Sequence, residues 1–127
     1  MLSRRLAAAV LASGALVAVL PAAADARTIG SKSGSGDYAI ALASGTANNP
    51  HRIRLVVTAS PRQSVSGSWT MVCSRGLSAG SKSGSFSGKS TVRRTLKMPS
   101  SNPDSCTVSA SGQLNGSGRI RVRLLSS

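Results

Sequence analysis

Few residues of this chain could do chemistry, and their spacing decides among the possibilities. After residue 26 there is one histidine, His51, with two carboxylates, Asp37 and Asp104, and two thiols, Cys73 and Cys106. A Ser-His-Asp relay would need His51 beside a chosen serine and one of those aspartates. Serine is too abundant for any single one to stand out. His51 lies between Pro50 and Arg52 in a turn-rich stretch, so a surface histidine is expected and a hydrolase using His51 is the remote alternative. Asp37 ends a Gly/Ser-rich segment and Asp104 follows Pro103, positions where aspartate serves turn geometry. Gly84-Ser85-Phe86-Ser87-Gly88-Lys89-Ser90 is one residue short of a phosphate-binding loop and has no helix to open. Gly34 to Ala39 fits a loose dinucleotide pattern but precedes a strand instead of joining strand to helix. No catalytic residue, metal site or cofactor is expected.

Charge is the feature with functional leverage. The 127 residues carry 16 Lys and Arg against 3 Asp and Glu, a formal net charge of +13. Arg119, Arg121 and Arg123 alternate with Ile120, Val122 and Leu124, and Arg52 and Arg54 flank Ile53 in the same way. On strands, each set of arginines would form a ladder on one face. Arginine forks grip phosphates and carboxylates bidentately, and a basic plate attracts polyanions in a salt-dependent way. The bland alternative is that outward charges guard sheet edges and aid solubility. With Tyr38, Trp69 and Phe86 the only aromatics, stacking on single-stranded nucleic acid is not expected, nor is sequence-specific nucleic-acid binding.

The elements that position these residues follow an export signal. Arg4 and Arg5, an apolar run from Leu6 to Leu20 and an Ala24-Asp25-Ala26 cleavage site make residues 1–26 a secretory signal peptide. The run of about 15 residues is short of the roughly 20 needed to span a bilayer. No later segment is apolar enough to span one either. Removing 26 of 127 residues leaves 101, and removing Arg4, Arg5 and Asp25 leaves 14 basic and 2 acidic side chains. A secreted or envelope-associated location follows. In that oxidising setting Cys73 and Cys106 are expected to form a disulfide, in preference to a free thiol or a metal pair. A bridge closing about 34 residues should stabilise by roughly 3–4 kcal/mol.

Alternation locates the strands. Val65, Trp69, Met71 and Cys73 share one parity, as do Cys106, Val108 and Ala110, so both cysteines face the core and a bridge across it is expected, with Trp69 as core anchor. Residues 27–37 read as a mobile Gly/Ser tether. Residues 38–127 read as one domain. Its first strand would turn Tyr38, Ile40 and Leu42 inward. Ile53, Leu55 and Val57 give the second. Residues 74–90 read as a long loop with a short strand near Phe86. Val92, Leu96 and Met98 give a strand whose Arg94 shares the inward parity, which places it at an edge or makes Arg94 reach outward. Asn115-Gly116 reads as a type I′ hairpin turn. About seven strands and no helical period indicate an all-β antiparallel sandwich with one inter-strand disulfide.

Trp69 in phase with Cys73, a second cysteine on a late strand and about 100 residues together resemble an immunoglobulin-like sandwich. More narrowly, the Trp-x-x-x-Cys and Cys-x-Val strands resemble small exported bacterial proteins of no assigned function. Two departures are plain: an immunoglobulin tryptophan lies on a different strand from the first cysteine, and Asp104 stands where the corner tyrosine would be. The resemblance implies architecture and no functional residue. The expectation is a non-enzymatic exported module that associates with an anionic polymer or envelope surface through Arg52, Arg54, Arg119, Arg121 and Arg123. The alternative is a small-ligand carrier or protein-binding module using loops at one end, residues 74–90 above all. Oligomeric state is left open by the sequence.

Overall fold

The computed structural model of the protein describes residues 26–127. The expected export signal, through Asp25, lies outside them. Eight strands make up the described chain, with no helix among them: β1 (Arg27–Asp37), β2 (Ile40–Asn48), β3 (Ile53–Ser60), β4 (Ser64–Arg75), β5 (Ser78–Lys89), β6 (Thr91–Leu96), β7 (Ser105–Leu114) and β8 (Ser117–Ser126). They form two four-stranded antiparallel sheets, in the orders β1-β8-β3-β6 and β2-β7-β4-β5. Only the β4–β5 hairpin joins consecutive strands within a sheet; every other link crosses to the opposite layer. That order is a jelly roll, two interlocked Greek keys. The sandwich expectation holds, with eight strands rather than seven, and the immunoglobulin likeness stops at the two-layered architecture.

The alternation read from the sequence holds on five strands. Ile53, Leu55, Val57, Val92, Ile120, Val122 and Leu124 line the inner face of one sheet, and Val65, Met71, Val108 and Leu114 that of the other, all at most 2 % exposed. Burying such a side chain contributes about 1.5–3 kcal/mol, so these rows hold the layers together.

Five readings need correction. Residues 27–37 are not a tether: they form β1, paired along its length with β8. The β2 face is reversed, with Ala39, Ala41 and Ala43 inward while Ile40 and Leu42 are 61 % and 60 % exposed. The reason is volume. A side chain at Gly30 would strike the backbone of Ser44, and one at Gly45 that of Ile29, so β1 and β2 meet almost backbone to backbone and only small residues fit between. Residues 74–90 are no loop but a hairpin, turned at Gly76-Leu77 with Gly76 at φ 60°. Glycine is favoured there because an L side chain resists positive φ. On β5 the inward parity falls on Gly84, Phe86 and Gly88; Phe86 is buried in the core, and the glycines flank it because neighbours fill the space, a Cβ at Gly84 lying 2.8 Å from the Trp69 indole nitrogen. Asn115-Gly116 is not a hairpin turn, since β7 and β8 lie in different sheets and neither residue has positive φ. The Gln63 side chain accepts from the Gly116 amide at 2.9 Å and steadies this corner.

The fifth correction concerns the staple. Cys73 and Cys106 are bonded, but side by side within one sheet, directly opposite on β4 and β7 with Cα atoms 4.0 Å apart. The bridge therefore fixes the register of two central strands instead of tying the layers together. Trp69 packs half-buried against the core, over β5 at the border of its sheet, and anchors an edge more than the centre.

Candidate functional site

The arginine ladders meet on one surface. β8 and β3 are direct neighbours, with Arg123 opposite Val56, Leu125 opposite Arg54 and Arg121 opposite Thr58. Arg119 lies opposite Ser60 at the end of the same pairing. Parity turns all of these away from the core, because Ile120, Val122 and Leu124 occupy the alternate positions. Arg52 precedes β3, continues its outward parity and is held through backbone bonds with Ser127. All five arginines named from the sequence thus share the outer face of the β1-β8-β3-β6 sheet.

Sequence reasoning missed two members. Arg93 on β6 stands opposite Val56 from the other side, so Arg123, Val56 and Arg93 form one row across three strands. Lys97, just past β6, continues that strand's outward parity. The signal lies in Thr91, Arg93, Thr95 and Lys97, which alternate with inward Val92 and Leu96, a pattern that the out-of-phase Arg94 obscures.

Among the described residues a side-chain carboxylate meets this face only at its end, beyond Arg119, where Asp37 pairs with Ser117. Asp37 ends β1 and accepts from the Ser117 hydroxyl, while Asp104 accepts from the Gly76 amide at 2.6 Å in the β4–β5 turn. Asp104 thus braces a turn, whereas the Asp37 bond runs across the β1–β8 pairing. Ser31 is a neutral partner on the ladder, its hydroxyl accepting from Arg121 Nε at 3.4 Å. Over Val56 the face dips into a cleft of about 330 Å³, walled by Arg54, Arg93 and Arg123 and bordered by Leu125.

The opposite outer face differs in kind. Ser44, Ser109, Thr70 and Ser83 stand in one row, and Thr46, Thr107, Val72 and Ser81 in the next. From the Ile40–Gln113–Ser66–Ser87 row to the Asn48–Ser105–Ser74–Ala79 row there is no charged side chain. Hydroxyls bond across strands at Thr46–Thr107, 3.2 Å, and Ser74–Ser105, 3.1 Å.

His51 lies exposed in the β2–β3 turn, its amide donating to the Ser127 carbonyl at 2.7 Å. With Asp37 and Asp104 engaged elsewhere, no relay forms on it. Among the described residues no three of His, Cys, Asp and Glu gather as a metal site, and no helix is long and apolar enough to cross a membrane.

Fold and surface together define a small jelly roll, stapled within one sheet, with one cationic and one uncharged hydroxyl face. No family model matches the chain, and no curated protein does. Among solved structures, it is similar to TmCBM61 in complex with β-1,4-galactotriose, at 8 % identity and TM-score 0.36, over 82 % of this chain and 90 % of that one. PirA gives 8 % identity and TM-score 0.40, over 81 % and 94 % of the two chains. The C-terminal domain of a structural protein from sulfolobus turreted icosahedral virus gives 13 % and 0.40, over 80 % and 98 %. Likenesses of this grade say nothing about what the chain binds.

Proposed function

We propose that the protein is an exported, non-enzymatic β-sandwich that associates with anionic polymers or surfaces through its arginine face. One observation carries this reading: the arginines lie on interior strands. Cations on an edge strand block edge-to-edge pairing, and that would explain them without a partner. In the order β1-β8-β3-β6, however, Arg54, Arg119, Arg121 and Arg123 belong to the two strands that have neighbours on both sides. Edge defence falls to other residues. Lys32 on β1, Lys82 on β5 and Arg94 on β6 each carry inward parity on an edge strand and are exposed there. Arg94 reaches outward to donate to the Ser87 carbonyl at 3.1 Å. Apart from the Arg121–Ser31 hydrogen bond, the interior ladders are left without an intramolecular task among the described residues, and like charges crowded on one face are relieved by an external polyanion.

The test is retention on immobilised heparin or polyphosphate at low salt, with elution as salt rises. No retention, or retention that salt does not weaken, removes the reading, because counterion release makes such binding salt-dependent.

A second reading, a module for a neutral small ligand, has its own observation. An open cleft of about 620 Å³ lies at the end of the sandwich where Tyr38, Gln113, Ser66 and Ser87 converge. Tyr38, 61 % exposed, holds φ 52°, an uncommon conformation for a bulky residue. Saturable binding of an uncharged oligosaccharide that Tyr38→Ala abolishes would favour this reading over the first.

A further inference from the structure

We infer that the cationic face contains one discrete seat, the cleft over Val56, which takes a phosphate monoester carried on an apolar group. The inference rests on the polyanion reading of the same face and names the ligand class of one part of it.

The seat is set apart from the ladder by its floor. Val56 has outward parity in β3, yet only 6 % of it is exposed, because Arg123 and Arg93 flank it from the adjoining strands. Arg54, two residues back along β3, closes a third side opposite Leu125. Strand spacing puts the Arg123 and Arg93 backbones about 10 Å apart, with Arg54 about 7 Å along from Val56, so three guanidiniums can converge over one point. Arg119 and Arg121 have no such floor; their cross-strand partners are Ser35, Ser60, Ser33 and Thr58. The back wall is stiffened by Arg94, whose guanidinium donates to the Arg93 and Ser87 carbonyls, both at 3.1 Å.

Charge and size then select the occupant. Three guanidinium forks around one point match a dianion with three terminal oxygens better than a carboxylate with two. The cleft of about 330 Å³ has room for on the order of ten water-sized groups at about 30 Å³ each, more than a phosphoryl group fills. The remaining space borders Val56 and Leu125, an apolar ledge that stabilises several carbons of an attached chain. The ester could be free in solution or the headgroup of a lipid; the recognising chemistry is the same.

The experiment titrates the protein with hexyl phosphate, inorganic phosphate and hexanol at about 0.15 M salt, where distant charges are screened. Hexyl phosphate is expected to bind one to one and at least tenfold tighter than either fragment. Arg93→Gln and Arg123→Gln should each weaken it at least tenfold, and Arg119→Gln less than twofold. Thermal midpoints report that each variant folds, and Arg54→Gln serves if Arg123→Gln does not. Sedimentation with phosphatidic acid vesicles, against phosphatidylcholine vesicles and with hexyl phosphate as competitor, separates the sources. Binding to both supports a seat open to headgroups, and binding to hexyl phosphate alone a seat for the soluble ester. Hexyl phosphate no tighter than inorganic phosphate, or Arg119→Gln as costly as Arg123→Gln, overturns the seat. Polyanion retention by the unaltered protein would survive that outcome, and its loss would instead remove the parent reading.

Discussion

If the arginine face is a polyelectrolyte site, the slope of affinity against salt counts its contacts. The face holds seven cations: Arg52, Arg54, Arg93, Lys97, Arg119, Arg121 and Arg123. For a flexible single-stranded polyanion each phosphate contact adds about −0.7 to the slope of log K against log salt, so full engagement gives about −5. From 50 to 200 mM salt that is about a thousandfold loss of affinity. Changing Arg119, Arg121 and Arg123 to Gln leaves four cations, a slope of about −3 and a loss of about fiftyfold over the same range. The assay is fluorescence anisotropy with a labelled polyphosphate or single-stranded oligonucleotide at several salt concentrations. A second protein separates location from net charge. It keeps the three Gln changes and adds Thr70→Lys, Ser83→Lys and Ser109→Lys on the hydroxyl face, restoring the total. The slope should stay near −3 if binding lies on the arginine face. A return to about −5 would mean that net charge alone governs binding, and the reasoning from strand position would fail.

Other consequences concern the fold that carries the face. Replacing Cys73 and Cys106 by alanine should lower unfolding free energy by about 3–4 kcal/mol, since the bridge closes a loop 33 residues in sequence separation; urea melts with and without reductant would read it. Gly67→Ala should destabilise by about 2–3 kcal/mol, because its methyl would meet the Ser111 carbonyl and the Phe86 ring, whereas Gly80→Ala, 3.3 Å from Pro99, should cost less than half as much by the same melts. Leu124→Ala, at a site 0 % exposed, should cost about 2–5 kcal/mol. Arg94→Ala should change stability by under about 1 kcal/mol yet raise self-association in light scattering, since it removes the cation from an edge.

How far the sequence could be read follows from what fills each inward position. Where large apolar residues alternate with polar ones, as along Ile53–Val57, Val65–Cys73 and Ile120–Leu124, face and strand were both legible. Where the layers approach too closely for them, the signal inverts. On β2 the alanines went inside and the isoleucine and leucine outside, because the β1 backbone leaves room for little more than a Cβ. On β5 the alternation is glycine against serine, which reads as low complexity, since the Trp69 and Phe86 rings of the β4–β5 pair lie over the opposite glycines, Gly84 and Gly67. The arginines were legible as ladders, but not as a plate. Their union depends on β3 and β8 being neighbours, a pairing that spans some 65 residues and has no local signature.

That pairing also decides how charge is shared between the two layers. In a meander, β8 would lie against β7 and its arginines would face the same way as Ser105, Thr107, Ser109 and Ser111. The jelly-roll crossing sends β8 to the other sheet, between β1 and β3, and collects the cations on one side while the hydroxyls gather on the other. Two broad faces of unlike charge give the molecule a permanent direction, and an anionic surface turns such a body before contact. The serine and threonine rows would then point away from that surface. A chain with the same composition and net charge, but with β7 and β8 paired in one sheet, would have no such direction.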